Sequence, residues 1–448
     1  MNDLAQIALE KSRSAFELAQ KGRREEALKL FDEAIKVALK VSGVYKPLDT
    51  IAEVITYMAK AGFCKEALEA SRSFESKNSK ILALGLISRE LALKGIDDEA
   101  RKILHEAIIT YNVSDKDYLG DYVIGEITRK FIEVKLEHYM LDEIHYIDTS
   151  NARSIVFYEV SSAIALENLN RALNLVKNIE DSVLKNKAME NIIISLINGK
   201  KFDEALKLIP EVRDVERVNA LTHFVNSLIK SEMGDKLIKN LDKLIKLASS
   251  KYIRDTRSRQ RIVCNISIGL AEQGHILKSF ETLTHIRGFG LKLCIRRLIK
   301  IIMKKYDMNN IVHNINLLNN RGVKIKLVYE IMSNIFSNKR DFNSALEFCK
   351  KINDKHVKML CIAKYMYILS EHGHVNEAKK LLYEYLDVFL KLVKTRYEYS
   401  YCIGSVLAKM IEAGMEEEAL RIISVFRQRK RHKDIVEKLI YDLFGGLR

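Results

Sequence analysis

The stretch AFELAQKGRREEALKLFDEAI, Ala15 to Ile35, decides the fold. Ala15, Phe16, Leu18 and Ala19 put apolar side chains on one face ahead of Gly22, and Ala27, Leu28, Phe31, Ala34 and Ile35 do the same after it, at the i, i+4, i+7 spacing of an amphipathic helix. Gly22 predicts the stop between the two helices, because a residue without a Cβ adopts the left-handed conformation that ends a helix at no steric cost. Glu25 and Glu26 follow, where the positive end of the next helix dipole favours acids. Ala27 is small, as the close approach of two hairpin helices requires. Such a pair leaves one apolar face bare, and only stacking against further pairs covers it.

The rest of the chain supplies those pairs. Glycine followed five residues later by a small residue recurs as Gly22 to Ala27, Gly62 to Ala67, Gly95 to Ala100, Gly274 to Ser279, Gly373 to Ala378 and Gly414 to Ala419. Versions without the glycine lie at Asp142 to Ile144, Asn170 to Leu173, Phe202 to Leu206, Met308 to Ile311 and Phe342 to Leu346. The small or apolar marker then falls at 27, 67, 100, 144, 172, 205, near 238, 279, 311, 345, 378 and 419. Its spacing centres on about 33 to 34 residues, the period of helix-pair repeats. The expectation is an all-α fold, an α-solenoid of about 12 stacked helix-turn-helix repeats. Only 19 glycines and 2 prolines in 448 residues fit long helices and argue against a turn-rich β chain or a disordered one.

The Ala15 to Ile35 segment resembles the tetratricopeptide repeat (TPR) family in its small Ala15, turn Gly22, small Ala27, aromatic Phe31 and small Ala34. Elsewhere the likeness is one of period and turn. The chain has no tryptophan, and with only Pro47 and Pro210 it lacks the proline that usually closes the family's repeat, so it is better described as TPR-like. The resemblance implies an inner surface that binds peptides or proteins; the family's peptide-clamp residues are not reproduced.

Two stretches interrupt the period. Thr110 to Asp121 reads as a loop before the fourth unit, and Ser249 to Arg261 either divides two superhelical segments, 1–248 and 249–448, or starts a long helix within one continuous array. A final helix, about Lys433 to Phe444, reads as a capping helix. The charge breaks at the same place. Residues 1–250 carry 37 Lys+Arg against 39 Asp+Glu, whereas residues 251–448 carry 37 against 20, a net of +17. That asymmetry points the C-terminal half at an acidic partner: nucleic acid, a ribonucleoprotein, an anionic membrane surface or an acidic protein.

The six cysteines, Cys64, Cys264, Cys294, Cys349, Cys361 and Cys402, are scattered without a C-x-x-C pair, and no secretory segment opens the chain, which reads as reduced and cytoplasmic. The longest uncharged apolar stretches, such as Ile192 to Ile197, are too short to span a membrane.

Three basic groups are candidate contacts for an anionic partner. Lys251, Arg254, Arg257, Arg259 and Arg261 form an arginine-rich cluster suited to bidentate phosphate or carboxylate contacts; the bland reading is a solvated connector. Arg296, Arg297, Lys300 and Lys304 share a helix face opposite Cys294, Ile295, Leu298, Ile301 and Ile302. Arg427, Arg429, Lys430, Arg431 and Lys433 precede the capping helix. Tyr252, Tyr306, Tyr397, Tyr399 and Tyr401 lie nearby and read as packing residues rather than base-stacking ones. His372 and His374 flank a turn without a third ligand, and Glu137, His138, Glu143 and His145 read as an ordinary helix surface, so no metal is expected. The asparagine-rich segment Asn309 to Asn320 reads as compositional bias. No P-loop, dinucleotide fingerprint, nucleophile elbow or H-E-x-x-H occurs, so neither catalysis nor a cofactor is expected. The expected function is a non-enzymatic scaffold that binds a protein partner, with an RNA- or ribosome-associated factor docking through the basic half as the alternative; self-association through exposed solenoid ends is plausible.

Overall fold

The computed structural model describes residues 4–43, 45–114, 118–231, 233–249, 251–339, 342–392 and 397–428. Among them the chain is all-helical, with 25 α-helices and no strand, and the helices follow one another as twelve pairs. The first of two units, Met1–Ala220, holds six pairs. They are α1 (Leu4–Gln20) with α2 (Arg24–Ala38), α3 (Lys46–Lys60) with α4 (Cys64–Arg72), α5 (Lys77–Leu93) with α6 (Asp97–Asn112), α7 (Tyr118–Ile132) with α8 (Glu137–Glu143), α9 (Ser150–Ile164) with α10 (Leu169–Lys177), and α11 (Ser182–Asn198) with α12 (Phe202–Leu208). The division falls within α13 (Asp214–Lys230), whose partner is split into α14 (Gly234–Lys239) and α15 (Leu241–Leu247). The second unit continues with α16 (Thr256–Glu272) and α17 (Ile276–Thr282), α18 (Gly288–Lys305) and α19 (Met308–Leu317), α20 (Arg321–Lys339) and α21 (Phe342–Lys350), α22 (Lys355–Glu371) and α23 (Val375–Leu392), and α24 (Tyr397–Glu412) and α25 (Glu416–Gln428).

Within each unit the first helices of successive pairs pack side by side: α1, α3, α5, α7, α9 and α11 in one, and α16, α18, α20, α22 and α24 in the other. The second helices form another layer, α6 against α8 and α17 against α19. Stacked two-layer pairs are the α-solenoid that the period predicts. The expected capping helix, Lys433 to Phe444, lies outside the described residues.

The repeat's marker behaves as its chemistry demands. Ala27, Ala67, Ala100, Ala172, Ala205, Ser279, Ala345, Ala378 and Ala419 are all fully buried between the helices of their own pair. Ser88 Oγ donates to the Ala100 carbonyl at 2.6 Å and Ser267 Oγ to that of Ser279 at 2.9 Å, so the first helix touches the second at its marker. One marker needs correcting: buried Met140, rather than Ile144, occupies the position in the fourth pair, while the marker near 238 is the buried Leu237. The turn explains the shift. Gly22 has φ +80° and Gly274 φ +95°, with the same sign at Gly62, Gly95, Gly373 and Gly414; in the fourth and sixth pairs, which have no glycine at that place, Lys135 and Lys200 take φ +60° instead. Met140 follows Lys135 by the same five residues. Spacing above the mean period arises where the second helix is long, as in α2, α6 and α23 with 15, 16 and 18 residues, against 7 in α8, α12 and α17.

A further device opens many first helices. The side chains of Ser76, Thr149, Asp181, Asp255 and Asp354 cap α5, α9, α11, α16 and α22 by accepting first-turn amides. Four residues after three of these caps a basic side chain turns back to carbonyls ahead of its helix, which lack intrahelical partners. Arg153 Nη1 reaches the Ile147 and Asp148 carbonyls at 2.7 and 3.0 Å, Lys185 Nζ that of Lys177 at 3.1 Å, and Arg259 Nη1 those of Ile253 and Arg254 at 2.8 Å. Lys324, four residues after the capping Asn320, reaches the Asn316 carbonyl at 3.3 Å.

The interrupting stretches are shorter than expected. α6 runs on to Asn112 and α7 begins at Tyr118, so both ends of Thr110 to Asp121 are helical. In Ser249 to Arg261, the residues from Thr256 onward belong to α16. The reduced-thiol expectation is corrected for four cysteines. Cys264 and Cys294 form a disulfide between α16 and α18, and Cys349 and Cys361 one between α21 and α22, with Cα separations of 5.6 and 5.4 Å. Cys264 and Cys294, about one period apart, face each other on the first helices of neighbouring pairs, whereas Cys349 and Cys361, 12 residues apart, meet across the connection from α21 to α22. Cys64 and Cys402 stay outside the disulfides.

Candidate functional site

α5, α16 and α22 are enclosed over most of their length; α18 is not. Leu291, Cys294, Ile295, Leu298, Ile299 and Ile302 bury one side of α18. The other side presents Phe289, Leu293, Arg296, Arg297, Lys300 and Lys304, all exposed. At 3.6 residues per turn these six fall within about 100° of arc. Phe289 is 72% and Leu293 44% exposed, the first among the most exposed large apolar side chains of the described residues. Arg296 Nε meets Glu330 Oε1 of α20 at 3.3 Å. Arg297, Lys300 and Lys304 have no ion-pair partner among the described residues. The helical-face reading of this group is borne out by burial, with Ile301 half-buried rather than buried.

The first basic group divides. Arg259 is committed to the carbonyl contacts above and to Thr256 Oγ1 at 2.9 Å, so it serves the scaffold. Arg257 and Arg261 are exposed on the first turns of α16, and Lys251 Nζ lies 5.5 Å from the Tyr252 ring centroid. α16 packs on α18, and Gln260 Nε2 donates to the Arg287 carbonyl at 3.2 Å, so the start of α16 adjoins the start of α18. In the third group Arg429, Lys430, Arg431 and Lys433 lie outside the described residues, as does the side chain of Arg427. Of the tyrosines, Tyr306 packs as expected, its hydroxyl donating to the Ala271 carbonyl at 2.6 Å, while the side chains of Tyr397, Tyr399 and Tyr401 are not among those described.

Beside the basic face lies a cleft of about 630 Å³, where the C-terminal half of α18 and the start of α19 meet α20 and α21 of the next pair. Lys300, Lys304 and Lys351 stand on its wall, and Met303, Met308, Ile335 and Phe348 give it an apolar floor. Lys351 Nζ donates to Asn309 Oδ1 at 2.8 Å. Glu347, the acid on this wall, faces Lys350 at 3.4 Å. The asparagine-rich segment has structural work here: Asn316 Nδ2 donates to the Lys351 carbonyl at 3.0 Å and its Oδ1 accepts from the Asn353 amide at 2.9 Å, tying α19 to the end of α21. Asn112 does the same for α6, reaching the Tyr146 carbonyl and the Asp148 amide. A bias in composition thus conceals a clamp between neighbouring pairs.

Some of the other ionisable groups tie helices together. Arg129 of α7 joins Glu126 at 2.7 Å and Glu159 of α9 at 2.6 Å; burial holds the Glu159 carboxyl above the usual carboxylate range although Arg129 pulls it down. Burial and a hydrogen bond to Asp97 push the Tyr139 hydroxyl up to about 12. His372 Nδ1 lies 2.9 Å from the Ile368 carbonyl, and His374 packs 4.6 Å from the Phe342 ring. Among the described residues no group of three or more His, Cys, Asp or Glu is arranged to hold a metal.

No family model matches the chain, and no curated protein matches it. Among solved structures it is similar to Ton1535 from Thermococcus onnurineus NA1, at 13% identity over 96% of this chain and 98% of that one, with a TM-score of 0.23. A circular tandem repeat protein with novel repeat topology is 12% identical over 99% and 96%, TM-score 0.22. The pentatricopeptide repeat protein PPR10, solved in complex with an 18-nt psaJ RNA element, is 12% identical over 98% and 80%, TM-score 0.23. No residue role is carried over from any of them.

Proposed function

We propose that the chain is a non-enzymatic, TPR-like scaffold that binds a protein partner, with the exposed face of α18 as a docking surface. The observation that carries this reading is the pairing, on one face of one helix, of two exposed large apolar side chains, Phe289 and Leu293, with three cations that have no ion-pair partner among the described residues, Arg297, Lys300 and Lys304. Apolar anchors ringed by charge are what a protein interface needs, since burial supplies affinity while charge steers the encounter. The net +17 of residues 251–448 favours a second reading, docking on RNA or a ribonucleoprotein. Among the described residues no helix is long and apolar enough to cross a membrane.

The test is affinity capture from native lysate at low and high salt, with and without nuclease, using the wild-type chain and a Phe289→Ser/Leu293→Ser/Arg297→Glu variant. A protein retained through salt and nuclease but lost with the variant supports the scaffold. Recovery that nuclease abolishes transfers the function to the second reading, and recovery indifferent to the variant removes α18 from it.

A further inference from the structure

The cleft beside α18 differs from the exposed face in what it can recognise. Its wall carries Lys300, Lys304 and Lys351, while Glu347, which would offset them, is engaged by Lys350. Its floor is apolar, and Met303 and Met308, both half-buried, are the side chains best able to reshape around a guest. About 630 Å³ is room for one or two large side chains. Two covalent ties brace it. The Cys264–Cys294 disulfide holds α18 to α16, and the Cys349–Cys361 disulfide holds α21 to α22, so the two outer walls are each anchored to the pair beyond. A braced cleft loses less freedom on binding.

Resting on the scaffold reading, we infer that this cleft is a binding site for an internal acidic segment of a partner protein, one whose large apolar side chain enters over Met303 and Met308 while flanking carboxylates meet Lys300, Lys304 and Lys351. Charge complementarity selects an anionic occupant, and the floor selects a peptide over RNA. Single-stranded nucleic acid needs exposed aromatic or arginine planes on which bases stack. Here Phe348 is buried to its edge, the Tyr306 hydroxyl is tied to Ala271, and the wall cations are lysines.

The test is fluorescence anisotropy on the full, oxidised chain with a short labelled peptide of glutamates flanking one leucine and one phenylalanine, amidated at its C-terminus so that only side-chain carboxylates are offered. Two probes of matched charge accompany it: the same peptide with both apolar residues changed to serine, and an oligouridylate. The apolar acidic peptide is expected to bind at least about tenfold more tightly than either. Lys300→Glu/Lys304→Glu, and to a lesser degree the milder Lys300→Ala/Lys304→Ala, should weaken it, whereas Arg257→Glu/Arg261→Glu should not, with circular dichroism verifying that each variant is folded. Equal binding of the serine peptide or the oligouridylate overturns the inference, as does absence of binding or insensitivity to both lysine variants. If lysate capture still depends on Phe289 and Leu293, either failure leaves the scaffold reading standing.

Discussion

Replacing Lys200 with glycine is expected to stabilise the chain. Lys200 holds φ +60° in the turn between α11 and α12, the place that glycine takes in six other pairs. A side chain in the left-handed region costs roughly 1–2 kcal/mol through crowding of Cβ against the following carbonyl. Glycine removes that cost but gives the unfolded chain freedom worth about 0.4–1 kcal/mol, leaving a gain of roughly 0.5–1 kcal/mol. Gly95→Ala runs the argument backwards: φ is +73° and nothing lies within 4 Å of an added Cβ, so a comparable loss there is purely backbone. Gly85→Ala is the packing control. Its Cβ would lie 2.6 Å from Ile127 Cδ1, and overpacking of about 1–3 kcal/mol outweighs the helical advantage of alanine, about 1 kcal/mol. The assay is urea unfolding followed by far-ultraviolet circular dichroism, with amide exchange across α11 and α12 because repeat arrays need not unfold as one unit. A Lys200→Gly chain with an unchanged or lower midpoint, beside a neutral Gly95→Ala, would refute the shared-turn reasoning.

Arg259→Ala should cost about 1–2 kcal/mol, because it strands the Ile253 and Arg254 carbonyls, while Arg257→Glu and Arg261→Glu stay within about 0.5 kcal/mol; thermal melts of the three separate scaffold from surface. The Arg72 guanidinium, bonded to both carboxylate oxygens of Glu106 at 2.9 and 2.6 Å, holds that carboxyl below the usual carboxylate range. A depressed folded pKa contributes stability that is present above the unfolded value and is lost as pH falls through the folded one, so Glu106→Gln should lower the melting temperature near neutrality and match wild type in acid. The pair is partly exposed, and about 0.2–1 kcal/mol is at stake. Alkylation under denaturing, non-reducing conditions should label Cys64 and Cys402 and spare the four bonded cysteines, and reduction should lower stability by roughly 3–4 kcal/mol per disulfide. Labelling of all six cysteines would disprove the pairing.

The architecture was legible because its determinants are local. Ala27 and Gly22 act within their own hairpin, and a fully buried small residue five positions past a left-handed glycine has the same cause at Ala27, Ala67, Ala100, Ser279, Ala378 and Ala419. The fourth marker was misplaced at Ile144 for a local reason too: a lysine does not advertise a positive φ, so the turn at Lys135 passed unnoticed and Met140 with it. The disulfides and the cleft were not legible, since each joins residues from neighbouring pairs whose proximity exists only once the pairs stack. Cys264 and Cys294 are 30 residues apart, and the cleft draws on four helices.

Charge was legible in amount but not in use. Counting places Arg259 beside Arg257 and Arg261 as one cluster, yet only Arg259 stands four residues after a capping side chain, Asp255. The same offset commits Arg153 after Thr149, Lys185 after Asp181 and Lys324 after Asn320 to carbonyls ahead of their helices. Lys80 after Ser76 and Lys358 after Asp354 share the offset without such a bond among the described residues, so the contact, and not the offset alone, assigns these four basic residues to the fold. α18 lacks the device altogether: its first flanking residue, Arg287, makes no side-chain cap, and the position four residues on is the buried Leu291. Its cations lie further along the helix, where stacking engages Arg296 with Glu330 of α20 and Lys305 with the Glu272 carbonyl of α16 but leaves Arg297, Lys300 and Lys304 without an ion pair among the described residues. Sorted this way, the exposed cations that make no such carbonyl contact among the described residues are Arg257 and Arg261 on α16 and Arg297, Lys300 and Lys304 on α18.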